Sequence, residues 1–207
     1  SLADGGFVVT WESYQQTGNN HEVYGQRFSS DGSKAGDEFL INSNTSSRQY
    51  NPSISSLANG GFVATWESWY QDNSEYGIYG QRFSSDGSKA GSEFLINTYT
   101  DQNQSNPSIS SLSDGGFVVT WKSNQQDGSN WGIYGQRFSS DGSKAGDEFL
   151  INTHTDQNQE QPVVSSLSDG GFVVTWQSYE QDDSNWGIYG QRFSSDGSKA
   201  GSEFLIN

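Results

Sequence analysis

Short apolar, β-branched and aromatic runs alternate along the whole chain with turns rich in Gly, Asp and Ser. Phe117-Val118-Val119-Thr120-Trp121 is apolar on both alternating faces, which predicts a strand in a sheet covered on both sides. Ile133-Tyr134-Gly135-Gln136-Arg137-Phe138 and Glu148-Phe149-Leu150-Ile151-Asn152 read as two more strands. A fourth, Pro107-Ser108-Ile109-Ser110-Ser111-Leu112, carries its proline at the start, where no ladder donor is needed. Asp114-Gly115-Gly116 and Asp141-Gly142-Ser143-Lys144-Ala145-Gly146 are turn signals between these runs. No segment shows a helical period. The pattern predicts an all-β chain.

The same set of four strands recurs. LADGGFVVTW at Leu2 returns as LANGGFVATW at Leu57 and as LSDGGFVVTW at Leu112 and Leu167, each step being 55 residues. YGQRFSSDGSKAG stands unchanged at Tyr24, Tyr79, Tyr134 and Tyr189. Within one domain, 1–207, the repeats are 2–56, 57–111, 112–166 and 167–207. Such identity points to recent duplication or to a designer copying one unit. Four strands A to D per unit, repeated about an axis, is the plan of a β-propeller blade. A β-solenoid is the rival, but its coils are usually shorter and lack four hairpin-connected strands. Ser-rich strand A suits the crowded centre, and aromatic strands B and C suit the gaps between blades.

The DGGFVVTW and GIYGQRF boxes resemble repeats of very large secreted bacterial proteins with RTX-type calcium nonapeptide arrays or cadherin-like modules, which are assigned to kelch-like or galactose-oxidase-like propellers. The resemblance spans the chain. It implies extracellular display at a bacterial surface and attaches no catalytic residue to the boxes, so a non-enzymatic structural or adhesin-like module is expected. The nonapeptide G-G-x-G-x-D itself is absent.

Composition sharpens this. Leu, Ile, Val and Phe total 39 of 207 residues at a net charge of −15, a combination typical of disorder. The 29 aromatic residues and the repeat argue instead for a packed fold. Without cysteine there is no disulfide framework and no thiolate zinc site. The acidic balance excludes a nucleic-acid partner, and no apolar run is long enough for membrane insertion by a helix.

The first repeat begins at the turn between A and B, so blade 1 lacks its innermost strand. The sequence reads as an excised piece, a processed chain or a design, with 15 strands where 16 would close four blades. An unpaired edge invites pairing, so a homo-oligomer or a longer array is expected, with the chain itself as partner.

The A–B and C–D turns belong to one face, and the B–C and D–A loops to the other. The variable B–C loops are read as Tyr14–Glu22, Trp69–Gly77, Asn124–Gly132 and Tyr179–Gly187, and the D–A loops as Ser43–Asn51, Thr98–Asn106 and Thr153–Gln161. They hold ten acids, Asp183 among them, against the single base Arg48, which marks this face as the binding surface. Tyr76, Trp131 and Trp186 occupy one equivalent position, held by His21 in repeat 1, near Asp72, Asp127 and Asp182. Aromatic rings beside carboxylates and amides suit glycans in a multivalent lectin. The same rings would equally staple each loop to the next blade.

Calcium is the one cofactor the loops suggest. Asp101 and Asn103, like Asp156 and Asn158, alternate oxygen side chains without the glycine and distant glutamate of a full calcium loop. Catalysis finds little support: His21 and His154 are not equivalent, and Glu38, Glu93, Glu148 and Glu203 are expected to pair across the C–D hairpin with Arg27, Arg82, Arg137 and Arg192. A sialidase-like hydrolase would need an arginine cluster beyond Arg48.

Overall fold

The computed structural model describes residues 1–16, 20–182 and 185–207. Blade 1 holds β1 (Phe7–Tyr14), β2 (His21–Phe28) and β3 (Phe39–Leu40). Blade 2 holds β4 (Gln49–Ser56), β5 (Phe62–Trp69), β6 (Tyr76–Phe83) and β7 (Phe94–Leu95). Blade 3 holds β8 (Gln104–Ser111), β9 (Phe117–Asn124), β10 (Trp131–Phe138) and β11 (Phe149–Leu150). Blade 4 holds β12 (Gln159–Ser166), β13 (Phe172–Tyr179), β14 (Trp186–Phe193) and β15 (Phe204–Leu205). Each blade is an antiparallel meander in chain order. The chain is an all-β propeller of four blades, the first with three strands.

Strand lengths differ from the expectation in two ways. The inner strand begins three residues earlier, at Gln104 and not at Pro107, because its register shifts between Ser105 and Ser108. Pro107 has no N–H to give the ladder, and the bulge carries it past the pairing partner. The outer strand is cut to Phe149–Leu150. Beyond it, Ile151 N still donates to Ile133 O, but Ile133 N donates to the Asn152 side-chain Oδ1 at 2.7 Å. A side-chain amide thus replaces the next backbone rung and ends the strand.

Successive blades pack face to face. Val63, Ile78 and Ile96 of blade 2 share one buried cluster with Phe117, Val119, Trp121 and Phe138 of blade 3. Their counterparts repeat this between blades 1 and 2 and between blades 3 and 4. Gly135 matters here: it pairs with Phe149, and a Cβ in its place would lie 2.9 Å from the Phe149 ring. At the axis the serines of the inner strands join blades: Ser111 N donates to Ser55 Oγ, and Ser166 N to Ser110 Oγ.

The expected Glu–Arg hairpin pairs do not form. Arg27 Nη1 donates to Asp86 O of the next blade at 3.0 Å, and Arg137 lies 3.1 Å from Asp114. Arg82 reaches Asp141 O and Arg192 reaches Asp169. Glu93, Glu148 and Glu203 accept instead from the backbone N–H of Ser43, Thr98 and Thr153 in the preceding blade. Glu38 takes the Gln16 side chain. Adjacent blades bring the partners of Arg27, Arg82, Glu93, Glu148 and Glu203, while Arg137, Arg192 and Glu38 find theirs within their own blade.

Candidate functional site

The B–C hairpins are longer than the sequence suggested. β9 and β10 pair at every position up to Asn124↔Trp131, which leaves a connection of six residues, 125–130. Tyr76, Trp131 and Trp186 are therefore the first residues of β6, β10 and β14 and not loop residues. Each sits opposite the last residue of the preceding strand: Trp69↔Tyr76, Asn124↔Trp131 and Tyr179↔Trp186. Two of these are aromatic pairs, with ring centroids 4.6 Å apart for Trp69–Tyr76 and 5.2 Å for Tyr179–Trp186. Asp183 of the acidic loop set lies outside the described residues.

Tyr76 and Trp131 come together at the junction of blades 2 and 3. There they line a cleft of about 420 Å³ with Tyr50, Asn51 and Glu67 of blade 2 and Asn103, Ser105 and Asn106 of blade 3. That volume lies in the range of small-ligand sites. Trp186 belongs to blade 4 and is exposed.

Why this junction is open follows from four positions that vary from junction to junction. At blades 2 and 3 they are Glu67, Tyr76, Ser105 and Trp131. At blades 1 and 2 Tyr50 stands where Ser105 does, and its ring lies 4.8 Å from His21 and 6.1 Å from Tyr76. That tyrosine spans the gap. At blades 3 and 4 Glu160 takes the place of Ser105 and Lys122 that of Glu67. Lys122 Nζ lies 3.4 Å from Glu160 Oε2 and 4.4 Å from the Trp131 ring centroid. Among the described residues, the junction with the small Ser105 keeps space between its rings.

Glu67 is the buried acid of this cleft. Its Oε1 accepts from Asn51 Nδ2 at 2.8 Å and from Asn106 N at 2.6 Å. Burial pushes its carboxyl above the usual carboxylate range, against the opposing pull of those two hydrogen bonds and of Lys122. Burial likewise raises the Tyr76 hydroxyl. Sequence reasoning missed Glu67, Ser105 and the asparagines Asn51 and Asn106. The signal was present at two places: Glu12, Glu67, Lys122 and Gln177 differ right after the shared Thr-Trp, as do Tyr50, Ser105 and Glu160 two residues before the shared proline.

The three predicted aspartates lie elsewhere. Asp72 and Asp127 fold back on their own loops, accepting from Ser74 N and Ser129 N at 3.1 Å. Their second oxygens press on Gly77 and Gly132, where a Cβ would come within 2.5 Å. Asp182 hydrogen-bonds Tyr189 and lies 3.2 Å from the Cβ position of Gly187. Repeat 1 has Thr17 in place of the aspartate and Glu22 in place of the glycine. The Glu22 carboxylate is buried there and bonds Asn42. Carboxylate and glycine thus exchange together, which makes this group part of each loop's own packing.

The calcium candidates do not converge either. Asp101 O and Asp156 O each accept from the glutamine side chain at the start of the next strand, at 2.8 Å. The Asn103 side chain donates to Glu75, and Asn158 O accepts from Tyr179 N. Among the described residues no three His, Asp or Glu side chains gather as a metal would require.

No family model matches this chain, and no curated protein matches it. Solved structures share its fold. A Dyadobacter fermentans protein of unknown function aligns over 99% of this chain and 66% of its own length, at TM-score 0.72 and 13% identity. A Bacteroides thetaiotaomicron endo-arabinase aligns over 100% of this chain and 82% of its own, at TM-score 0.60 and 15% identity. The Hadza microbial sialidase Hz136 covers 100% of this chain and 45% of its own, at TM-score 0.66 and 8% identity. This chain therefore spans just under two thirds of the first protein and less than half of the third. At these identities the likeness is one of fold, and that fold is the β-propeller. It corrects one expectation: arabinanases and a xylosidase share these blades, so the architecture gives no ground for calling the chain non-enzymatic.

Proposed function

We propose that this chain is a carbohydrate-binding propeller, with its principal site in the cleft between blades 2 and 3. The observation that carries the reading is the convergence of Tyr76 and Trp131 on one open cleft beside Asn51, Asn103, Asn106 and Glu67. Aromatic rings pack on the C–H faces of a sugar, while amides and a carboxylate take its hydroxyls. Neighbours named as an arabinase, a sialidase and a xylosidase make this a fold in which sugars are handled. The resemblance of the boxes to repeats of secreted bacterial proteins supports an extracellular setting for such a site.

Because Tyr50 and Lys122 occupy the equivalent junctions, the reading is of one strong site and not of several equal ones. The test is a glycan-array screen of labelled protein with calcium and with chelator, followed by calorimetry on the hits. Ser105→Tyr, which copies Tyr50 into the open junction, is expected to abolish binding and leave melting unchanged. Trp131→Ala is expected to weaken binding at least tenfold. A blank array from folded protein in both conditions overturns the reading. Release of shortened oligosaccharide from any bound glycan would favour a second reading, glycoside cleavage.

A further inference from the structure

Two faces of this chain are built for a blade and lack one. Between consecutive blades, one side offers Val63, Ile78 and Ile96, and the other Phe117, Val119 and Trp121, all fully buried. On blade 1 the residues equivalent to Phe117 and Val119 are Phe7 and Val9, which are 37% and 43% exposed. On blade 4 the equivalent of Ile96 is Ile206, 52% exposed, with Phe204 and Leu205 exposed beside it. These apolar side chains lie exposed on the first and the last blade, and exposed apolar patches mark interaction surfaces.

The chain itself shows what fits them. The blade 4 end repeats one half of the interfaces formed inside the chain, and the blade 1 end repeats the other half without its inner strand. The polar contacts recur as well. Lys89, Lys144 and Lys199 donate to the backbone oxygens of Asn42, Asn97 and Asn152 in the preceding blade. Their end counterparts, Lys34 on blade 1 and Asn207 on blade 4, are both present. Arg27 and Arg82 reach Asp86 O and Asp141 O in the following blade, whereas Arg137 and Arg192 turn to Asp114 and Asp169 in their own.

We propose that the exposed face of blade 4 packs on the exposed face of blade 1 of a second copy, head to tail, so that two chains close a ring of eight blades. Such a contact is heterologous, and it closes only if the rotation per blade allows it. Eight blades lie within the range that propellers adopt. Blade 1 brings five of the six receiving positions, Phe7, Val9, Trp11, Tyr24 and Phe28. The sixth, held by Ile109 in blade 3, belongs to the inner strand that blade 1 lacks. This proposal is independent of the sugar site.

The test is native mass spectrometry and light scattering from one to a hundred micromolar. The expected species is a dimer, twice the 22.7 kDa chain mass. Phe7→Glu and Ile206→Glu each disable one face at an exposed position, and circular dichroism checks that both variants fold. Each variant alone is expected to be monomeric. Mixed in equal amounts they retain one intact pairing, and a mixed dimer is expected. A monomeric wild type across this range overturns the proposal. So does a dimer that survives both substitutions, or one that the mixture fails to restore. A ladder of larger oligomers overturns the eight-bladed ring.

Discussion

Lys122 holds its ammonium 4.4 Å from the ring centroid of Trp131, and the same nitrogen lies 3.4 Å from Glu160. Asn124, the cross-strand neighbour of Trp131, offers no ring to stack on it, unlike Trp69 for Tyr76. The lysine covers the indole instead. Lys122→Ala is expected to cost about 1 kcal/mol in denaturant unfolding, the range of a partly desolvated cation–π contact. A change within error would mean that the lysine only borders the ring.

The blade interfaces should dominate stability. Ile133 is fully buried between blades 3 and 4, whereas Val163 is 55% exposed at the axis. Ile133→Ala is expected to cost roughly 2–5 kcal/mol, and Val163→Ala about 0.5 kcal/mol or less. Equal losses at both sites would contradict the packing described here.

Gly80 pairs with Phe94, and an added Cβ would lie 3.0 Å from the Phe94 ring and 3.1 Å from Ile96. The glycine leaves room for a ring to lie across the sheet. Gly80→Ala should overpack this junction and lower stability by about 1–3 kcal/mol. Thermal unfolding measures it, and an unaltered Tm would show that the ring moves aside at no cost.

Glu67 should make stability pH-dependent with a definite sign. Its folded-state pKa is raised above the ordinary 4.5 by burial. Between those two values the folded chain binds more protons than the unfolded one, so stability falls as pH rises through that window. Glu67→Gln removes the titration. The Tm of the variant relative to wild type is therefore expected to increase from pH 4 to pH 7, and a constant difference would count against a buried, raised carboxyl.

The period, the strands of the repeating unit and the turns between them are legible in the amino-acid order alone. Tight-turn glycines, alternating apolar positions and a proline at the inner strand act within a few residues of one another, and four copies reinforce every reading. Blade packing decided which partners Arg27 and Arg82 take, since Asp86 O and Asp141 O arrive from the following blade. It also decided where a ligand could fit. The open cleft joins Glu67 and Tyr76 of one blade to Ser105 and Trp131 of the next. Its openness depends on one small side chain standing between two rings. The strand pattern placed the aromatics on one face and showed three equivalent positions, but it could not weigh the volume of Tyr50, Ser105 and Glu160 against the gap that each must fill. That gap exists only once blades pack, and its size is set by two sheets at once.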